Sequence, residues 1–401
     1  MNVEIVEKQV KDSRNQQKFN IIQIKHLERK MPQKRYIKQD QDSFFGHYLY
    51  DQLVPQNHFY RKLDEIIDWD RFTRALIEFY KGGGEYGRPP YDPTLVLKML
   101  FVSYLYNLSE RQTEIYVNEN VPAKYFVGLA IDRPAPDHST LTYFKKRLTR
   151  NGNLDVFESM LAEMIQIAME KGVQFGSIQI IDSVHSVAHV NTSKDEKRKR
   201  KGKGPRDPDA KWGAKHKRKF KTTDGEIKEQ VKYFFGYKAH VSLNAETHLI
   251  TSVLPSSGEV WDGKYFKPLV EKDLAQNIPV DTVGADRSYD DHDLHYFLQE
   301  EKGLHSGILL KGFRTQKKDR NKEVWQRLLE TPQYQQAKIE RYKIERKFGE
   351  AKQGHGFARC RYVGLLGYGI QAFLTAIVLN LKRMVKILTD VCFKPQAYVP
   401  A

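Results

Sequence analysis

SIQIIDSVHSVAHV, residues 177–190, decides how the second half of this chain is read. Ile178, Ile180, Ile181, Val184, Val187 and Val190 make it apolar and β-branched, the composition of a buried strand. Asp182 sits in its middle, and a carboxylate there carries a desolvation cost that needs a reason.

Downstream, KYFFGYKAHVSLNAETHLITSVLPSS (232–257) predicts two more strands, turning near Asn244 and Glu246. A short helix is expected around Asp262 to Lys272. VDTVGADRSYDD (280–291) is a strand ending at Asp286, DLHYFLQEEKG (293–303) the helix after it, and HSGILLKG (305–312) a fifth strand. Helices then run from about Val324 onward. The first three strands would pair antiparallel and the later ones parallel. That mixed order predicts an α/β, RNase H-like catalytic domain over residues 175–388.

Residues 193–222 interrupt this domain between its first two strands. Fourteen of those thirty residues are Lys or Arg, which reads as a basic insertion, expected to be a functional loop beside the site. Asp207, Pro208, Asp209, Ala210 and Trp212 form an island within it.

Upstream, residues 44–150 read as an all-α domain. LDEIIDWDRFTRALIEFY (63–80) carries apolar residues at helical spacing, LVLKMLFVSYLYNLS (95–109) is a second helix, and Ser109 caps a third. DRPAPDHSTLTYFKKRL (132–148) is a turn followed by a basic helix, capped at Ser139. Its Lys145, Lys146 and Arg147 are candidate DNA contacts, which makes this domain a candidate binder of DNA ends. Residues 1–43, with HLERKMPQKRYIK (26–38), read as a basic arm.

The chain has 401 residues and a net charge of +16, with 40% hydrophobic and 12% aromatic residues. A basic chain with this much core material points to a polyanionic partner, double-stranded DNA before others. Cys360 and Cys392 form no CxxC pair, so neither a zinc site nor a disulfide framework is implied. The N-terminus lacks a secretory h-region, and a cytoplasmic, nucleoid-associated protein is expected. Tyr362 to Leu381 is uncharged over 20 residues. Its Gly364, Gln371, Thr375 and Asn380 make it a core helix, and no membrane partner is expected.

Three acids carry the chemistry: Asp182, Asp286 and Glu345. First and fourth strands are neighbours in an RNase H-like sheet, so the two aspartates would lie side by side. In RYKIERKFGEAKQGHGFARCRY (341–362), Arg341, Glu345 and Lys352 fall within about 40° of one helix face. That helix would bring the third carboxylate, flanked by cations. Three clustered carboxylates repel one another unless cations bind, and hard oxygen ligands suit Mg2+ or Mn2+, two ions in all. Lys238 is a candidate phosphate contact on the strand beside them, and His240 a candidate core histidine. Trp212, Trp261 and Trp325 are candidates for stacking on a base. Asp262, Asp281, Asp290, Asp291 and Asp293 read as cap or turn residues.

PDHSTL (136–141), IDSVHSVA (181–188), DPDAKW (207–212), FGYKAH (235–240), GADRSYD (284–290) and IERKFGEAKQGHGFARCRYVG (344–364) occur in this order. Together they resemble the bacterial insertion-sequence transposases of the DDE superfamily, in the branch with a Tyr-Arg-Glu-Lys signature. The resemblance spans about residues 45–385. It implies that Asp182, Asp286 and Glu345 bind the metal ions and that Arg341 and Lys352 contact transposon-end DNA. The signature's Tyr falls at 338, where this chain has Lys338, with Tyr334 and Tyr342 as neighbouring candidates. The implied reaction is hydrolysis at the terminal inverted repeats, then attack of the freed 3′-hydroxyl on target DNA. A homodimer would hold the two ends in a synaptic complex. A metal-dependent nuclease without strand transfer and a catalytically silent DNA-binding protein are the rival readings.

Overall fold

A computed structural model describes residues 44–79, 90–221, 227–316 and 320–394. The basic arm expected over 1–43 lies outside these residues.

Before the sheet come helices α1 (Phe44–Leu53), α2 (Phe59–Ile66), α3 (Trp69–Leu76), α4 (Pro93–Leu105), α5 (Glu110–Glu119), α6 (Val121–Val127), α7 (His138–Leu148) and α8 (Asp155–Glu170). Every residue of α4 is buried, so the others pack around it. Asp92 starts α4 by accepting from the Thr94 amide, and Pro93 supplies the fixed φ of a first turn. Ser109 caps α5 in a reciprocal box with Gln112, as its sequence predicts. The expected cap of α7 shifts by two residues. Asp137 accepts from the Ser139 amide at 2.7 Å, so Ser139 already lies in the first turn.

The sheet contains β1 (Ile178–Val187), β2 (Lys211–Lys221), β3 (Ile227–Asn244), β4 (Ile250–Ser257), β5 (Thr282–Ala285) and β6 (His305–Ile308). Its order is β2-β3-β1-β5-β6, with β4 also pairing on β3. β3 pairs antiparallel with β1, β2 and β4, and β5 and β6 run parallel to β1. Helices α10 (Phe266–Ala275), α11 (His292–Tyr296), α12 (Lys322–Glu330), α13 (Pro332–Glu340), α14 (Tyr342–Gly354) and α15 (Leu365–Thr389) surround it. This is the RNase H-like mixed α/β fold that the element order predicts.

The insertion is more ordered than a loop. It begins with helix α9, Thr192–Arg200, and supplies β2, which pairs along the first half of the long β3. An edge strand needs hydrogen bonds on one side only, and exposed lysines such as Lys211 and Lys215 discourage pairing with other edges. Its acidic island is structural. Asp207 is buried and accepts from the Tyr237 hydroxyl and the Gly364 amide, while Asp209 accepts from the Leu365 amide at 2.9 Å. The two aspartates thus cap α15 at a point where Gly364, with φ of +87°, makes the turn.

Helix α15 takes in most of the uncharged stretch before ending past Lys382, Arg383 and Lys386, and it is buried along most of its length. Two of its buried polar residues are paired: Gln371 accepts from the Arg361 amide at 2.7 Å and donates to the Arg359 carbonyl at 3.0 Å, and Asn380 bonds both the amide and the carbonyl of Ile250, at 2.8 and 2.7 Å. One apolar core runs from α2 and α4 through α8 and α15 to β1, β3 and β4. The helical part and the sheet are therefore packed together through α15.

Candidate active site

Parallel pairing sets β1 against β5 with Ile181 opposite Ala285. The next residue on each strand is an aspartate, so Asp182 and Asp286 stand side by side where β5 ends, roughly one strand spacing of 4.8 Å apart. Carboxyl ends of parallel strands are where open α/β sheets hold ligands. Asp182 accepts from the Ser183 amide at 2.7 Å. Asp286 accepts from the Ser288 amide at 2.8 Å and remains partly exposed.

Burial and the neighbouring Asp286 push the Asp182 carboxyl up to about 7; the Ser183 amide and Arg341 pull the other way, and Asp262 adds to the repulsion. Helix α14 packs against β1. Arg341, at its start, acts on Asp182, and Asp182 acts in turn on the half-buried Lys352 two turns beyond Glu345. Arg341 and Lys352, on the same face as Glu345, thus lie within electrostatic reach of Asp182. Glu345 itself is exposed and bonds Arg341 at 2.7 Å. Three ligand atoms within 4.8 Å of one another occur elsewhere among the described residues, at Glu114, Asp137 and His138. There Glu114 accepts from the His138 amide at 2.8 Å and contacts its ring, which ties α5 to the start of α7 and accounts for the PDHSTL motif.

Two residues beside the acids escape sequence reasoning. Asp262, read as a turn residue, receives Lys238 Nζ at 2.9 Å and lies 3.7 Å from His240 Nδ1. His240 is opposite Ser183 in the β1–β3 register, which brings Asp262 over the strand carrying Asp182. Tyr289 is fully buried, and Asp182, Asp262 and Asp286 all act on its hydroxyl, raising its pKa well above the usual tyrosine value alongside the larger effect of burial. Ser183 also acts on that hydroxyl, but no described group meets it with hydrogen-bond geometry. A divalent cation fits this arrangement. It would relieve the repulsion between Asp182 and Asp286.

Several expected contacts are placed differently. Lys238 is mostly buried and bonds Asp262 and the Val260 carbonyl, so it does not face solvent. Lys145 does not lie on the basic surface of α7. It is 5% exposed, bonds Glu110 and the Tyr362 hydroxyl, and is pushed by burial and Arg361 down to about 7. Lys146 and Arg147 beside it are exposed. Trp325 is core, whereas Trp212 and Trp261 are exposed. Lys338 is exposed, Tyr334 is buried with its hydroxyl on the Leu310 amide, and Tyr342 is exposed. His240 is the expected core histidine, bonded to Ser256 at 2.8 Å and pushed by burial down to about 3.

Ser306, His295 and Asp290 form a hydrogen-bonded chain in the order of a hydrolytic triad, at 2.8 and 3.2 Å. All three are at most 3% exposed, and Lys311 and Arg314 engage Asp290 as well. No substrate reaches such a serine, and the chain is a packing device.

The sequence matches two families. The Transposase DDE domain matches over residues 174–381 and the Transposase domain (DUF772) over residues 48–147. The cryo-EM structure of the piggyBac transposase synaptic complex with hairpin DNA aligns with 67% of this chain at 10% identity and a TM-score of 0.26. This chain covers 53% of that one, about half its length, and so low a score carries no argument.

Proposed function

The chain belongs to the Transposase DDE domain family, and we propose that it is a metal-dependent DNA transposase of the insertion-sequence type with Asp182, Asp286 and Glu345 as its metal-binding acids. The register that puts Asp182 beside Asp286, under a helix face of cation, acid and cation, carries this reading. The helical region at 44–150 is proposed to hold the DNA end and the sheet domain at 175–388 to cut and join it.

Mg2+ or Mn2+, as two ions, would be held by the three acids and, when bound, supplies an activated attacking oxygen and a stabilised leaving oxygen. The protein's own residues do the rest. Asp182, pushed up to about 7 by burial and then by Asp286, would give up its proton to serve as a metal ligand. Glu345, bonded to Arg341 at 2.7 Å, would be the third metal-binding acid, and the Arg341 guanidinium would flank it as a phosphate contact. Lys352 flanks the other side. Lys238 holds Asp262 in place at 2.9 Å, where Asp262 would orient water at the edge of the centre. Lys146 and Arg147 neutralise backbone phosphates at the DNA end. Tyr342 is the exposed tyrosine on this helix available for the signature's role. Two copies of the chain would hold the two ends of the element.

The test is purified protein, Mg2+ or Mn2+, and a duplex carrying the inverted repeats that flank its coding sequence. Joined donor and target strands are the expected product. Cleavage without joining would reassign the protein as a nuclease, and joining that survives Asp182→Asn, Asp286→Asn or Glu345→Gln would overturn the site.

A further inference from the structure

Helix α14 ends at His355, and the next residues, 356–362, run between the two halves of the molecule. On one side they pair with the end of β1. The Val187 amide donates to the Ala358 carbonyl at 3.0 Å, the Cys360 amide to the Val187 carbonyl at 2.8 Å, and the Ser186 hydroxyl to the Phe357 carbonyl at 2.6 Å. This is the strand that carries Asp182 four residues earlier. Through α14 the same segment is continuous with Glu345.

The other side grips the helical part. Arg361 donates to the Leu108 carbonyl at 3.0 Å and to Asn107 Oδ1 at 2.7 Å, with its guanidinium 4.3 Å over the Tyr104 ring. The Tyr362 hydroxyl accepts from Lys145 at 2.9 Å and lies 3.3 Å from that of Tyr104. His355 donates from Nδ1 to the Tyr104 carbonyl at 2.8 Å, and its Nε2 accepts from Lys382 at 3.1 Å. Lys382 and Lys347 both bond Glu350, at 2.6 and 3.1 Å, on the helix that carries Glu345. Gly356 has φ of +64°, and a Cβ there would come within 2.3 Å of Asn107 Oδ1. One polar chain thus runs from Glu110 on α5 through Lys145 on α7 to the Tyr362 and Tyr104 hydroxyls, and a second runs from the Tyr104 carbonyl through His355 and Lys382 to Glu350 on α14, the two meeting at residue Tyr104.

We propose that residues 355–362 are a strap through which the helical region sets the position of Glu345 relative to Asp182, with Arg361 and Tyr362 as its positioning residues. This rests on the reading of those two acids as parts of one metal centre. Helix α7 is the lever. Its outer face bears Lys146 and Arg147, and its inner face bears Lys145, which holds Tyr362. DNA pulling on the outer cations moves the inner one, and the strap passes that movement to the helix of Glu345. A free protein therefore holds Glu345 on Arg341, and a DNA-bound one releases it toward Asp182.

The experiment uses the full chain as wild type, Tyr362→Phe and Arg361→Gln. Three quantities are read: Mn2+ affinity by calorimetry with the metal alone and again with DNA present, affinity for a duplex copied from the DNA flanking the coding sequence without metal, and single-turnover cleavage. In the wild type, DNA should tighten Mn2+ binding. In both variants DNA affinity should stay within about twofold while that tightening is lost and cleavage falls about tenfold or more, the range for residues that orient metal ligands. Variants that keep the tightening and cleave like a cleaving wild type overturn the strap alone. So does a parallel loss of DNA affinity, Mn2+ affinity and thermal stability, which marks a merely structural contact. A wild type that takes up no Mn2+ overturns the acid centre beneath it.

Discussion

Asp182 on β1 and Asp290, just past the turn that follows β5, meet opposite environments. Asp290, four residues after Asp286, is buried among compensating groups. It bonds His295 at 3.2 Å, the Lys311 amide at 2.7 Å and Arg314 at 3.2 Å. Burial alone would raise its pKa, but His295, Lys311 and Arg314 outweigh burial and hold the carboxyl below the usual range. Asp182 has one amide, the Arg341 guanidinium and two other carboxylates, Asp286 and Asp262, acting on it, and with burial it is pushed up to about 7. Both side chains are desolvated carboxylates, and only one is compensated by the fold. A charge the fold satisfies belongs to stability, while a charge the fold leaves repelled waits for a ligand.

The largest effect that tests this contrast is on Asp290. Asp290→Ala strands Arg314 and His295 in the interior, and chemical denaturation should register a loss of about 3–5 kcal/mol. Asp182→Asn should do the reverse: unfolding free energy in the absence of metal stays level or rises, because a source of repulsion is gone. Equal destabilisation by the two substitutions would erase the distinction.

Next in size is catalysis. Asp182→Asn should lower metal-dependent strand cleavage by about 100- to 1000-fold, comparable to losing an electrostatic group aimed at a transition state. Asp262→Asn should lower it less, since Asp262 is already neutralised by Lys238. Single-turnover gels on both variants rank the two acids. An Asp262 effect as large as that of Asp182 would make it a metal ligand in its own right.

Legibility in the sequence follows the same division. β1 and β5 are readable because β-branched runs announce buried strands, and a charge stands out in each, Asp182 in the middle of β1 and Asp286 just past the end of β5. The order of elements then made those strands neighbours. β2 was hidden because a lysine-rich edge strand has the composition of a solvated loop, and its hydrogen-bond partner, the first half of β3, is not visible from the residues of β2. Asp262 was hidden because its meaning comes from Lys238 and His240, remote in sequence. Lys145 was misread although a signal was available. Leu141, Phe144 and Leu148 are buried on α7, and Lys145 sits four residues after the first of them, on the inner face. Asp207 and Asp209 carried no sign that they cap a helix more than 150 residues away.

A smaller effect is the pH dependence of folding. The folded-state pKa of Asp182 is raised, so the native protein binds this proton more tightly than the unfolded chain. Stability without metal should then fall as pH rises from about 4 towards 7. Asp273, buried against Ser242 and Ser252 and pushed by burial up to about 6, adds a slope of the same sign. Saturating Mg2+ or Mn2+ should flatten the Asp182 part and leave that of Asp273, because only Asp182 faces the cations. Thermal unfolding between pH 5 and 8, with and without metal, separates them. If Asp273→Asn removed all of the slope, Asp182 would have no part in it.

The smallest expected effect separates Lys145 from its neighbours on α7. Lys146 and Arg147 are exposed, so replacing either with Ala should weaken DNA binding severalfold and lower the salt slope of log affinity by about 1 each. Lys145 is 5% exposed and held by Glu110 and Tyr362, so it releases no counterion when DNA binds. Lys145→Met should leave the salt slope unchanged, whatever it does to cleavage through Tyr362. Fluorescence anisotropy on one duplex across a salt series measures all three. A slope change for Lys145→Met equal to that for Lys146→Ala would mean that Lys145 reaches the phosphates in the complex. α7 would then have to rotate its buried face outward on DNA, breaking the bond to Tyr362 rather than pulling on it.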